Sequence, residues 1–218
     1  MLVAAIVYQI SAISSKEKLP PGFSYPQMIT VEVPDSAQEL QGVLGWDNPQ
    51  AKEEIGRWVK RSLEMDTWVF IPGYVSFFVG MICYLASQET SKRWIGILAG
   101  IAILVAAAFD YLENTRTIAE IGLSGKAFYE GLDEMRNASV SKWGCFGAAM
   151  ILLGALQVTA VGRTREPNAF EGVRVIVLIL GGAIGVYAAA SGTRGMFAVE
   201  ANLFAIAALV SLYELRKA

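Results

Sequence analysis

The stretch WIGILAGIAILVAAAFDYLENT, residues 94–115, decides the fold. From Trp94 to Phe109 it carries no charged side chain, and then Asp110, Glu113 and Asn114 follow within little more than one helical turn. An apolar run of this kind approaches the ~20 residues a helix needs to cross a bilayer. Its acids fall where such a helix meets water. They are either the polar end of a span or part of a site.

Four further apolar runs flank this one, at about 67–86, 143–161, 173–191 and 196–214. The chain has 218 residues, of which 17% are charged and 54% hydrophobic. Soluble domains carry about 25% charged residues, so the composition points to lipid rather than water as the solvent. The fold predicted is an all-α, polytopic transmembrane helix bundle with five firm spans, at 66–218, and a possible sixth at the N-terminus. Residues 1–15 are that N-terminal span or an anchor. MLVAAIVYQISAI reaches only about 20 Å as a helix, against ~30 Å of hydrocarbon. It lacks the basic flank and cleavage site of a signal peptide.

Residues 16–65 read as an extramembrane segment with an interfacial helix. Pro20-Pro21-Gly22 marks a turn. MITVEV, 28–33, alternates like a short strand that Pro34 ends. Asp35 or Ser36 caps a helix through Leu44, and Asp47 caps another from Pro49, a residue tolerated in a first turn. Ile55, Trp58, Val59 and Leu63 form an apolar face beside Arg57, Lys60 and Arg61. That face suits a membrane interface or packing against neighbouring helices.

Composition also excludes chemistry. There is no histidine, which removes His-ligated zinc, haem on His and Ser-His-Asp triads. Cys83 and Cys145 are too few for a thiolate metal site, and their places in two spans put them too far apart for a disulfide. A net charge of −2 gives no basis for nucleic-acid binding. The partner expected is the lipid bilayer. Gly96/Gly100, Gly147/Gly154, Gly181/Gly185 and Ala201/Ala205 let helices approach closely, within the bundle or in a homo- or hetero-oligomer. One face of the bundle receives Lys92, Arg93, Arg163, Arg165, Arg216 and Lys217, and the other the long, acidic connection 113–142. The positive-inside rule then places the C-terminus in the cytoplasm and the protein in the cell (inner) membrane.

The polar residues sort by helical spacing. Asp66, Phe70 and Tyr74 share one face, with Pro72 between them able to free carbonyls near Asp66–Trp68. Asp110 and Asn114 lie on the stripe of Gly96, Gly100 and Ala107, with Glu113 beside it. Antiparallel pairing of the first two strong spans brings Asp66 level with Asp110–Asn114. The same parity carries Lys142, Arg194 and Glu200 to that face, with Tyr187 and Asn202 at comparable depth. The candidate cluster is therefore Asp66, Tyr74, Asp110, Glu113, Asn114, Arg194 and Glu200. Buried charges of this kind pair with one another or line a hydrated cavity. Four readings follow: a structural lock with Arg116, Arg194 or backbone amides as partners, a site for a small solute, proton or ion, a Mg²⁺ or Ca²⁺ site made of carboxylates and an Asn carbonyl, and plain solvated helix ends.

LEMDTWVFIPGYVSFF (63–78), AAAFDYLENT (106–115) and VSKWGCFGAAMILLG (140–154) together resemble a loose group of uncharacterised bacterial multi-pass membrane proteins. The group pattern is Asp-x3-Phe-x3-Tyr in one span, Asp-x2-Glu-Asn at the end of the next, and Lys-Trp entering the third. Asp66, Phe70, Tyr74, Asp110, Glu113, Asn114, Lys142 and Trp143 match it, over roughly the last 150 residues. The resemblance implies the fold and the residue choice, not an activity. The function expected is a non-enzymatic membrane protein with a carboxylate-rich cluster at its non-cytoplasmic face. The alternative is a divalent-metal-dependent enzyme acting on a lipid headgroup or similar polar substrate.

Overall fold

A computed structural model describes residues 30–122, 126–164 and 169–215; within these, the side chains of 122, 126–130, 161–164, 194, 198 and 212–215 lie outside the described residues. The chain is all-helical, with no strand among the described residues. Its helices are α1 (Ala37–Val43), α2 (Pro49–Met65), α3 (Ile71–Gln88), α4 (Arg93–Gly122), α5 (Lys126–Thr164), α6 (Ala169–Ser191) and α7 (Arg194–Leu215). A π-helical turn, Asp66–Phe70, joins α2 to α3, and a 3₁₀ turn, Thr90–Lys92, precedes α4.

Four helical runs are long and apolar enough to cross a membrane, by length and composition: Pro49–Gln88, Thr90–Ile121, Gly131–Ala160 and Ala169–Ser191. They contain the first four expected spans. The fifth, 196–214, falls in α7, whose described apolar part, Gly195–Ser211, is shorter. The N-terminal segment 1–15 and the turn at Pro20–Gly22 lie outside the described residues.

The chain divides into two compact units. In the unit formed by residues up to Tyr74 together with Ala108–Val140, a core of Val31, Ala37, Leu40, Leu44, Ile55, Val59, Leu63 and Met135 is flanked by Ile118, Ile121 and Leu132. The apolar face of α2 is thus buried within this unit. The strand expected at 28–33 is a misreading over its described part: residues 30–32 are helical. Val31 and Val33 are both fully buried, so packing outweighs the β preference of their branched side chains. The connection 113–142, which its sequence marks as helical in part over 126–136, is mostly helix, because α4 runs on to Gly122 and α5 begins at Lys126. Ile118, Ile121, Leu132 and Met135 give these extensions their own core to bury.

Caps fix the short elements. Ser36 Oγ accepts from the Glu39 amide at 3.1 Å, and Glu39 Oε2 accepts from the Asp35 amide at 2.8 Å. This reciprocal pairing satisfies donors that the first turn of α1 leaves open. Gly45, at φ 69°, takes the left-handed position just after α1 that a side chain disfavours. The cap of α2 is Asn48, not Asp47. Its Oδ1 accepts from the amides of Gln50 and Ala51, because Asn48 sits directly before Pro49, the first helical residue.

The second unit comprises Val75–Ala107 and Ser141–Ala218. Phe146 and Phe204 meet edge to face at 4.9 Å, and Phe78 stacks on Phe204 at 5.6 Å. Helices α5 and α6 touch backbone to backbone: a Cβ placed on Gly147 would lie 2.7 Å from the Gly182 carbonyl oxygen. A Cβ on Gly182 would collide with the Gly147 carbonyl. Gly192, at φ 69°, turns the chain from α6 into α7. The two cysteines are free, as their spacing requires.

Gly182→Val should therefore lower stability by about 3 kcal/mol or more, the upper end of overpacking costs. Gly42→Ala, in α1 with nothing within 4 Å of the added carbon, should gain about 0.5–1 kcal/mol. Reversible unfolding of the two variants in detergent checks the contrast; equal effects would deny the close contact.

Candidate functional site

Four of the seven candidate residues come together in the first unit. Pro72 has no amide hydrogen to give and crowds the carbonyl one turn earlier, so a regular α-helix cannot run unchanged into it. The π turn Asp66–Phe70 sits directly before it, and the Ile71 amide donates to the Asp66 carbonyl across the wider turn. The Asp66 carbonyl is therefore engaged and not freed. The Thr67 hydroxyl donates to the Leu63 carbonyl at 2.8 Å.

From α4, Asn114 Nδ2 donates to Asp66 Oδ2 at 2.8 Å and to Thr67 Oγ1 at 3.1 Å. One turn earlier on α4, Asp110 Oδ2 accepts from the Tyr74 hydroxyl at 3.0 Å. Residue 66 meets 114 and residue 74 meets 110, which is the antiparallel register expected from spacing. The Phe70 ring packs edge-on to Tyr74 at 5.5 Å and walls that bond from one side. Tyr74, Asp110 and Asn114 are all buried. A buried hydrogen bond with an ionised partner contributes more than a neutral one, and losing one partner exposes the full cost of the other.

Glu113 is fully buried, not offset from the contact face as its spacing implied. The buried stripe of α4 runs Ala99, Ile103, Ala106, Asp110, Glu113, Thr117, Glu120, while Gly100 and Ala107 lie at its margin. The Thr117 hydroxyl donates to the Glu113 carbonyl at 2.9 Å. Arg116, expected to answer Asp66 or Asp110, instead pairs with Glu134 at 2.8 Å on the exposed side of α4. The reason is directional: Arg116 lies between the turns that carry Asn114 and Thr117, so its side chain leaves the opposite face.

Glu200 belongs to the second unit, as do Lys142 and Arg194. The Arg194 side chain lies outside the described residues. Glu200 is fully buried against Gly147 of α5 and Gly185 of α6; a Cβ on Gly147 would stand 3.0 Å from its Oε1, and one on Gly185 would collide with the carboxyl. The charge of Lys142, also buried, acts on it. Lys142 Nζ lies 4.9 Å from the centre of the Trp143 ring, which stacks on Phe197 at 5.6 Å. Tyr187 is 57% exposed and Asn202 is exposed, so neither joins a buried site.

A second buried polar group in this unit was not anticipated. Arg174 Nε donates to Gln157 Oε1 at 2.9 Å and its Nη1 to Ser211 Oγ at 3.4 Å. Gln157 Nε2 reaches the Glu171 carbonyl at 3.4 Å, and all four residues are buried. The available signal was composition: Gln157 and Arg174 are polar residues inside runs otherwise nearly free of them. Each sits at a span edge, where solvation is the default reading.

No three acidic or cysteine side chains among the described residues stand where they could share a metal ion. The chain matches no family model, no curated protein and no solved structure.

Tyr74→Phe and Asp110→Ala should each destabilise the protein by about 1–3 kcal/mol, the cost of leaving a buried polar group without its hydrogen-bond partner. The double variant should lose less than the sum, by a coupling of about 0.5–3 kcal/mol. Unfolding of the four proteins in mixed micelles measures this; strict additivity would remove the bond from the energetics.

Proposed function

We propose that this is a non-enzymatic, multi-pass protein of the cell membrane, crossing the bilayer at about 67–86, 94–112, 143–161, 173–191 and 196–214, with its C-terminus in the cytoplasm. Its partner is the bilayer. The Asp66–Thr67–Tyr74–Asp110–Asn114 cluster is a structural lock between two helical segments at the non-cytoplasmic face. The observation that carries this reading is the double donation of Asn114 to Asp66 and Thr67. Amide, carboxylate and hydroxyl are spent on one another across the helix pair, and Tyr74 and Asp110 repeat the arrangement one turn away.

Hydrogen bonds of this kind hold helices together where lipid is as apolar as the side chains themselves. A metal enzyme working on a lipid headgroup would need oxygen ligands converging on one point. Asp66 and Asp110 are each engaged with a neutral partner, an amide and a phenol, which favours the lock over the metal reading.

Two measurements test the proposal. Asp110→Ala should lower the melting temperature in detergent, and Mg²⁺, Ca²⁺ or a chelator should leave the wild-type value unchanged. A variant as stable as wild type that has lost metal or solute binding would make the cluster a site. Single cysteines placed in a cysteine-free background should react with an impermeant maleimide from the cytoplasmic side at Lys92 and Arg216, and from the opposite side at Arg116. Labelling of all three from one side would overturn the topology.

A further inference from the structure

Glu200 is a buried acid of the second unit. Its side chain is 0% exposed, and neither carboxyl oxygen makes a hydrogen bond among the described residues. It also occupies a made-to-measure space: Gly147 and Gly185 are the residues facing it from α5 and α6, and any side chain at either position would meet the carboxyl. An acid lodged between two glycines is not a by-product of close helix packing, which the Gly147–Gly182 contact achieves with no polar group at all. From α5 it feels Lys142. From α6 it meets glycine, and Tyr187 points outward. On α7 its neighbours one turn away in each direction are Phe197 and Phe204, both buried.

We propose that Glu200 is a proton-binding site inside the bundle, with the Lys142 ammonium as the charge that compensates it when the proton leaves. The proposal rests on the reading of 196–214 as a membrane span. An ionised carboxylate with no hydrogen bond in an apolar interior is costly, and binding one proton removes the charge. On release, the O–H bond breaks, its electron pair stays on the carboxylate, and the proton goes to water. The negative charge left behind is then compensated by the ammonium of Lys142, which is buried and lies over the Trp143 ring. The ligand is thus a single proton, and the two glycines leave the space that the carboxyl fills.

The test uses the full chain in phosphatidylcholine vesicles. Infrared difference spectra between wild type and Glu200→Gln should show a protonated carboxyl C=O stretch at neutral pH that the variant lacks. The band should disappear as pH rises, and Lys142→Met should keep it at pH values where wild type has lost it. No such band in wild type, or its loss at the same pH in Lys142→Met, overturns the proposal. If Glu200→Gln fails to fold, carbodiimide labelling of wild type decides alone. The membrane-soluble dicyclohexylcarbodiimide should modify Glu200, read by mass spectrometry, and a water-soluble carbodiimide should not. Modification by the water-soluble reagent would mean that 196–214 is not a span. No modification by either reagent would leave the span standing and remove the proton site.

Discussion

In a bilayer, apolar helix surfaces gain little from covering one another, because lipid tails solvate them as well as a neighbouring helix does. Association then depends on what lipid cannot offer: hydrogen bonds between side chains, and backbone contact closer than any chain with side chains allows. The first unit uses the former, in Asn114 with Asp66 and Thr67, and in Tyr74 with Asp110. The second uses both: Arg174 joins Gln157 and Ser211, while Gly147 meets Gly182 and Gly154 admits Ile179. Wide apolar faces remain uncovered, as at Ile97, Ile101 and Leu104 of α4 and Ile176 and Leu180 of α6. In water they would be a liability; against lipid they are the solvent-facing surface.

Local chemistry at Pro72 sets the geometry of the lock. A proline in a long helix must be accommodated by a kink or by a wider turn. Here the wider turn falls on Asp66–Phe70, the segment that supplies Asp66 and Thr67 to Asn114. The same residue that breaks helical regularity therefore fixes where the polar side chains stand. Single π turns of this kind recur at functional positions, because they move a side chain without ending the helix.

Much of this was legible because it followed from period and charge. Spacing put Asp66 and Tyr74 on one helix face and Asp110 and Asn114 on another, and the short connection made the two helices antiparallel; which side chain meets which depended on packing. The apolar runs likewise placed the long helices. What stayed hidden depended on tertiary context. Val31 and Val33 alternate like a strand, yet a core that takes both side chains holds a helical turn there. Asn48 outcompetes Asp47 as a cap by one position relative to Pro49, a difference no pattern of hydrophobicity encodes. Arg174 and Gln157 lie at the ends of apolar runs and read as solvated, and only the three-way meeting with Ser211 reveals them as a buried group. Glu113 shows the limit of the helical wheel, because a wide contact face takes in residues that a narrow stripe leaves out.

The turn at Gly192 bears on the order of events during synthesis. Only Gly192 and Thr193 separate α6 from α7, and Gly192 adopts the left-handed conformation that reverses the chain at once. Segments leave the ribosome in sequence, N-terminal first. Gly185 and Gly147 are therefore made before Glu200, about four helical turns before it in the case of Gly185. A lone acidic helix entering lipid would face the full cost of its charge. As the second arm of a tight hairpin, α7 follows a helix that already carries Gly185, so part of the space its carboxyl fills is synthesised before the carboxyl itself.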